Sequence, residues 1–209
     1  MSIVTLTSDA LGGTPAAGNI EYSSPIIAAT PIGTQRGVVT TPQFFRLNAD
    51  LAGANVNTAQ SIFGVGVTLS ASTVYAFESI VILAKTAGTT SHTIGLGFGG
   101  TATVNNILYG MTLDGQLGAL PNTDAAPQFT VINTTSNTTA TSTAGGTTAI
   151  QTKAFIIRGS VSINAGGTFI PQYTLSAAPG GAYSTVAGSY MLIYPVSASG
   201  ANTNVGTWA

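Results

Sequence analysis

Residues 153 to 175 read KAFIIRGSVSINAGGTFIPQYTL. Phe155, Ile157, Val161 and Ile163 fall on one face with Gly159 in the same register, while Ala154, Ile156, Arg158, Ser160 and Ser162 fall on the other. A period of two is the signature of a strand, whose successive side chains point to opposite faces. Asn164, Ala165, Gly166 and Gly167 interrupt the pattern with residues that tolerate positive φ, and Thr168 to Leu175 resumes it. The stretch predicts a long antiparallel hairpin with a short loop. Pro171 has no N–H to give to a ladder, so the second arm is expected to meet an edge or a bulge there.

The alternation recurs on both sides of this stretch. From Thr73 to Lys85, Tyr75, Phe77, Val81 and Leu83 share one face and Val74, Ala76, Ile80 and Ile82 the other. Two apolar faces need two covers: the core on one side, and either the rest of a thick domain or a second chain on the other. His92 to Gly100 sets Ile94, Leu96 and Phe98 against Gly95, Gly97 and Gly99, a strand bare on one face that other groups can approach closely. Gln43 to Ala49, Ala59 to Val67, Thr101 to Leu113, Gln128 to Asn133 and Tyr190 to Val196 supply further strands. Thr134 to Thr148 is low in complexity and reads as an exposed tip.

Strands separated by turn residues, without a convincing helix, predict an all-β fold: a jelly-roll-like antiparallel β-sandwich over residues 43 to 209. Residues 1 to 42 carry prolines at 15, 25, 31 and 42 and no sustained period, which predicts an extended N-terminal arm. Its apolar pieces, Ile3 to Leu6 and Ile26 to Ile27, are suited to adding as strands to a neighbour.

Of the 209 residues 44% are apolar and 5% charged, with 26 glycines and a formal net charge of -1. Charged residues average roughly 25% in soluble proteins. So apolar a chain folds rather than staying disordered, and a nearly uncharged surface suits permanent assembly better than life as a free monomer. Five Lys and Arg residues form no patch able to displace counterions, so nucleic-acid binding is not expected. Cysteine is absent, which excludes disulfides and thiolate metal sites. The N-terminus has no basic region followed by an apolar run, and the longest strongly apolar run, Ile80 to Ala84, is far too short to span a bilayer; no signal peptide and no membrane insertion are expected.

Few residues are available for chemistry. One histidine, His92, excludes a multi-histidine metal site, and no HExxH or Walker pattern occurs. Of the six carboxylates, Asp114 and Asp124 lie closest in sequence, but among turn residues. No catalytic residue, metal or cofactor is expected. Glu78 and Arg158 each stand mid-strand among apolar neighbours. Because an isolated ion there is costly, they are expected to meet as a structural ion pair. Asn133 and Asn137 begin Asn-x-Thr sequons at the low-complexity tip, the segment best placed to face a receptor.

AGNIEY at 17 to 22, TQRGVVTTPQFF at 34 to 45, YAFES at 75 to 79, GLGFGGTAT at 95 to 103, FIIRGSVSINAGGTFIPQ at 155 to 172 and VGTWA at 205 to 209 together resemble the β-rich domain at the C-termini of tailed-phage tail-fibre and other particle-surface proteins. The resemblance implies a jelly-roll-like sandwich, typically trimeric, displayed on a virus particle and without enzymatic activity. Only sixteen residues precede the first of these stretches, too few for a fibre shaft, so direct attachment to the capsid or tail is expected. The expected function is a trimeric capsid-decorating or cement protein on the virion surface, bound to the major capsid protein through its N-terminal arm. The alternative is the knob of a short tail fibre or tail tip, held by tail proteins and binding a host-surface receptor.

Overall fold

The computed structural model describes residues 5–12, 14–114, 128–135, 140–141, 149–200, 202, 205–206 and 208. Among the described residues alternation produces sixteen strands and no helix. They are β1 (Ile20–Ser23), β2 (Ile26–Ile32), β3 (Gln35–Val39), β4 (Gln43–Arg46), β5 (Leu51–Ala52), β6 (Gln60–Ser61), β7 (Val67–Leu69) and β8 (Thr73–Lys85). Then follow β9 (Ile94–Gly99), β10 (Thr103–Asp114), β11 (Gln128–Thr134), β12 (Ala140–Thr141), β13 (Gln151–Ala165), β14 (Gly167–Leu175), β15 (Ser184–Thr185) and β16 (Tyr190–Ala198).

The fold is an all-β antiparallel sandwich. Its larger sheet runs β11-β10-β13-β8, after which the far edge of β8 is shared by β16 and β15, backed by β4 and β5. The smaller sheet runs β12-β9-β14, with β6 and β7 sharing the outer edge of β14. The sheets are unequal, eight strands against five, and the strand order alone does not establish the jelly-roll subclass.

The inner face of β13 is the one read from the sequence: Phe155, Ile157, Val161 and Ile163 are buried. Across from it on β8 lie Tyr75, Phe77, Val81 and Leu83, and on β10 Ile107, Tyr109 and Met111. The smaller sheet answers with Leu96, Phe98, Phe169, Tyr173 and Leu175. Phe98 joins the two layers: its ring stacks on Phe169 at 4.4 Å and meets Phe77 at 5.1 Å and Tyr109 at 5.3 Å edge-on.

The expected hairpin is corrected. β13 and β14 do not pair; β13 lies between β10 and β8, while β14 lies beside β9 in the other sheet. The chain arches over the edge of the sandwich at Gly166 and stacks the two apolar faces against each other. Packing permits this because a Cβ on Gly166 would stand 2.9 Å from the Leu69 carbonyl and 3.0 Å from the Ala71 nitrogen. Pro171 falls where the edge of β14 passes from β7 to β6, and its carbonyl accepts from Ile62 N at 2.9 Å. A strand residue's N–H and C=O point to the same side, so the missing N–H faces that break in the ladder.

Residues 1 to 42 are not extended throughout. β1, β2 and β3 form a three-stranded antiparallel meander that buries Ile26, Ala28 and Thr30. Ile26 and Ile27 are thus paired within the chain. Arg36 holds the sheet to the preceding segment: its Nε lies 2.8 Å from Glu21 Oε2, and its Nη2 donates to the Gly12 carbonyl at 2.6 Å. Strands this short carry too few alternations to be read from sequence.

Candidate interaction surface

The outer face of the larger sheet is open among the described residues. Register lines up Phe44, Leu192, Glu78, Arg158, Gly110 and Val131 in one row, and Arg46, Tyr190, Ile80, Ile156, Thr112 and Phe129 in the next. Phe44, Leu108, Phe129, Val131 and Ile156 are exposed, Phe129 at 71%. Ile80, Ile82 and Leu192 between them are half-buried. The second apolar face of Thr73–Lys85 therefore belongs to a central strand and forms the middle of this surface.

Glu78 and Arg158 stand directly opposite each other on β8 and β13, with Arg158 Nε 3.0 Å from Glu78 Oε2. The Tyr190 hydroxyl adds a contact of 3.3 Å to Glu78 Oε1. Its phenol is pushed up, first by burial and then by the Glu78 charge and hydrogen bond, against the opposing pull of Arg158. The setting differs from the buried one expected, since the Arg158 side chain is 70% exposed and that of Glu78 34%. Such a pair contributes little to stability because water screens it and two long side chains are immobilised. Arg158→Ala is expected to lower the unfolding free energy by less than about 1 kcal/mol in a denaturant titration. A loss of several kcal/mol would make the pair a structural pin.

Beside the pair, Gly110 leaves room for the Phe129 ring, which a Cβ at Gly110 would meet at 3.0 Å. Gly110, Thr112, Phe129, Ile156 and Arg158 line a shallow depression of about 410 Å³. A second depression, about 220 Å³, opens between the sheet edges where Phe44, Phe45, Phe63, Val67 and Met191 meet. Both are mainly apolar, and neither gathers groups for acid–base chemistry.

Asn133 is exposed on β11, and Asn137 lies outside the described residues, as does Asp124. Asp50 accepts from Ala187 N at 2.8 Å, and Asp9 from Ala10 N at 2.7 Å, as turn carboxylates do. No three His, Asp or Glu side chains gather into a metal-binding group among the described residues. Among the described residues no helix is long and apolar enough to cross a membrane. Phe44, Leu108, Phe129 and Val131 were not singled out from the sequence. Alternation marks their faces, but only strand pairing reveals which face stays open.

No family model matches the chain, and no curated protein matches it. Among solved structures it is similar to a chain in the structure of infectious bursal disease virus Gx strain, at 13% identity and a TM-score of 0.20. That match covers 93% of this chain and 49% of the other, so this chain spans about half the length of the one it matches.

Proposed function

We propose that the protein is a non-enzymatic structural component of a bacteriophage particle, a trimeric decorating or cement subunit on the capsid exterior. The observation that carries the proposal is the open apolar face of the larger sheet on a chain with 5% charged residues. Exposed apolar residues in contiguous rows mark a surface that another protein covers. Glu78 and Arg158 neutralise each other at the middle of the face, and Arg46, on the β4 edge and donating to Asn48 Oδ1 at 2.6 Å, falls on the rim of a contact with a second copy. The phage setting rests on the resemblance of AGNIEY, GLGFGGTAT and FIIRGSVSINAGGTFIPQ. In this reading the face joins copies of the chain, and residues 1 to 42 reach the major capsid protein.

The test is Phe129→Asp, at an exposed position where the fold tolerates the change. Analytical ultracentrifugation is expected to show the trimer dissociating at least about 30-fold more readily, the loss of one aromatic anchor, with the dissociated variant keeping the β circular-dichroism spectrum of the wild type. A wild-type monomer, or a variant as trimeric as the wild type, would remove this face from assembly. Copy number in purified particles decides the location: hundreds on the head lattice support decoration, whereas a few at the tail would make the protein a receptor-binding knob.

A further inference from the structure

Where the end of β8 meets the start of β13, His92, Tyr183, Gln151, Lys85 and Lys153 are all buried. The histidine Nδ1 lies 2.7 Å from the Thr90 carbonyl, which can only accept, so Nδ1 carries a proton. Its Nε2 lies 2.8 Å from the Tyr183 hydroxyl, and that hydroxyl in turn meets Gln151 Oε1. The Tyr183 hydroxyl has one proton to give, and two neighbours that can receive it.

Two proton arrangements satisfy these three groups. With a neutral ring, Tyr183 donates to Nε2, and the amide of Gln151 must turn so that its NH₂ donates to the Tyr183 oxygen. With a protonated ring, Nε2–H donates to the Tyr183 oxygen, and Tyr183 donates to Gln151 Oε1. The structure has Oε1 toward Tyr183 and leaves Gln151 Nε2 buried with no partner. We propose that His92, Tyr183 and Gln151 form an acid-sensitive latch, in which one proton arriving at His92 reverses the hydrogen-bond chain and loosens this end of the sandwich.

The surroundings decide which state holds at neutral pH. Lys85 comes from β8, Lys153 and Gln151 from β13, and Tyr183 from the segment before β15. The Lys85 ammonium donates to the carbonyls of Ala87 (3.3 Å), Gly88 (2.5 Å) and Ala149 (3.3 Å), and so ties the loop after β8 to the start of β13. A charged His92 would be a third cation in this buried cluster. Burial first, and then Lys85 and Lys153, pull the imidazole below its ordinary value, against the bond to Thr90.

The sign follows from linkage. Above about pH 6.5 the ring is neutral in both folded and unfolded chains. As pH falls below that value the unfolded chain takes up the proton first, so stability declines with acid until the folded ring also titrates. The latch is independent of any role on a particle.

His92 is the only histidine in the chain, so its imidazole ¹⁵N signals in the full-length protein are unambiguous. NMR is expected to show the Nδ1–H tautomer near neutral pH and titration below about 6.5. Hydrogen exchange of residues 86–93 and 149–151, corrected for intrinsic pH dependence, is expected to quicken about tenfold across that titration. In His92→Gln the quickening should disappear. Titration at or above the ordinary value, an Nε2–H tautomer at neutral pH, or an equal acid response in His92→Gln would each overturn the latch. If that variant does not fold, the wild-type titration and tautomer decide alone.

Discussion

Phe98→Ala is expected to cost about 4 kcal/mol, a large part of the roughly 5–15 kcal/mol that holds a typical domain together. Phe98 is 5% exposed and belongs to the smaller sheet, yet two of its three ring partners, Phe77 and Tyr109, belong to the larger. The third, Phe169, stacks on it from the neighbouring strand β14. Truncation removes the ring that joins the layers and leaves a cavity whose walls are three other rings and two fixed sheets. Such walls relax little, which places the loss toward the upper end for aromatic truncations. The comparison variant is Phe129→Ala, the same chemical change at a 71% exposed site, expected to alter stability by less than about 0.5 kcal/mol. Denaturant unfolding of the two variants separates them. A Phe98 loss below about 1 kcal/mol would mean that the layers are held elsewhere.

What alternation can and cannot say explains how much of this was legible. The sequence reading bounded Thr73 to Lys85 as β8 itself spans, and it assigned the inner face of β13 residue by residue. Period two follows from local backbone geometry, and a long strand repeats it often enough to be read. Alternation does not say which strands pair. The arch at Gly166 and a hairpin at the same place have the same sequence pattern, and they differ in the partners of the two arms, β10 and β8 for β13 and β9 for β14, which the pattern does not name. The same limit hid the open surface. That Gly110 sits between Arg158 and Val131 follows from registers joining three distant segments.

Charge is hard to place from sequence for a different reason. Lys85 and Lys153 fall on the inner faces of their strands by alternation, but lysines near strand ends usually reach solvent. Here both are buried, and the ammonium of Lys85 finds carbonyls of a loop that no periodicity describes. His92 reads as an ordinary histidine before a strand until Gln151 of β13 and Tyr183 of the segment before β15 close around it.

Gly159→Val is the second large effect, expected at about 3 kcal/mol, the upper range for overpacking a core. A glycine inside a strand is itself unfavourable by roughly 0.5–1 kcal/mol relative to alanine, so filling the position would normally help. Gly159 lies mid-strand on the inner face of β13, directly opposite Phe77 on one side and Tyr109 on the other. A Cβ there would stand 2.5 Å from the Tyr109 Cβ and overlap the Leu108 carbonyl. Relief requires Tyr109 to move, and its buried hydroxyl donates to the Leu96 carbonyl of the opposite sheet at 3.0 Å. Moving it breaks that buried hydrogen bond, adding about 1–3 kcal/mol of desolvation. The overlap is with backbone and Cβ atoms, so shortening the neighbour should not help: Gly159→Val combined with Tyr109→Ala is expected to be less stable than Gly159→Val alone. Recovery in the double variant would show instead that the glycine merely makes room for the tyrosine ring.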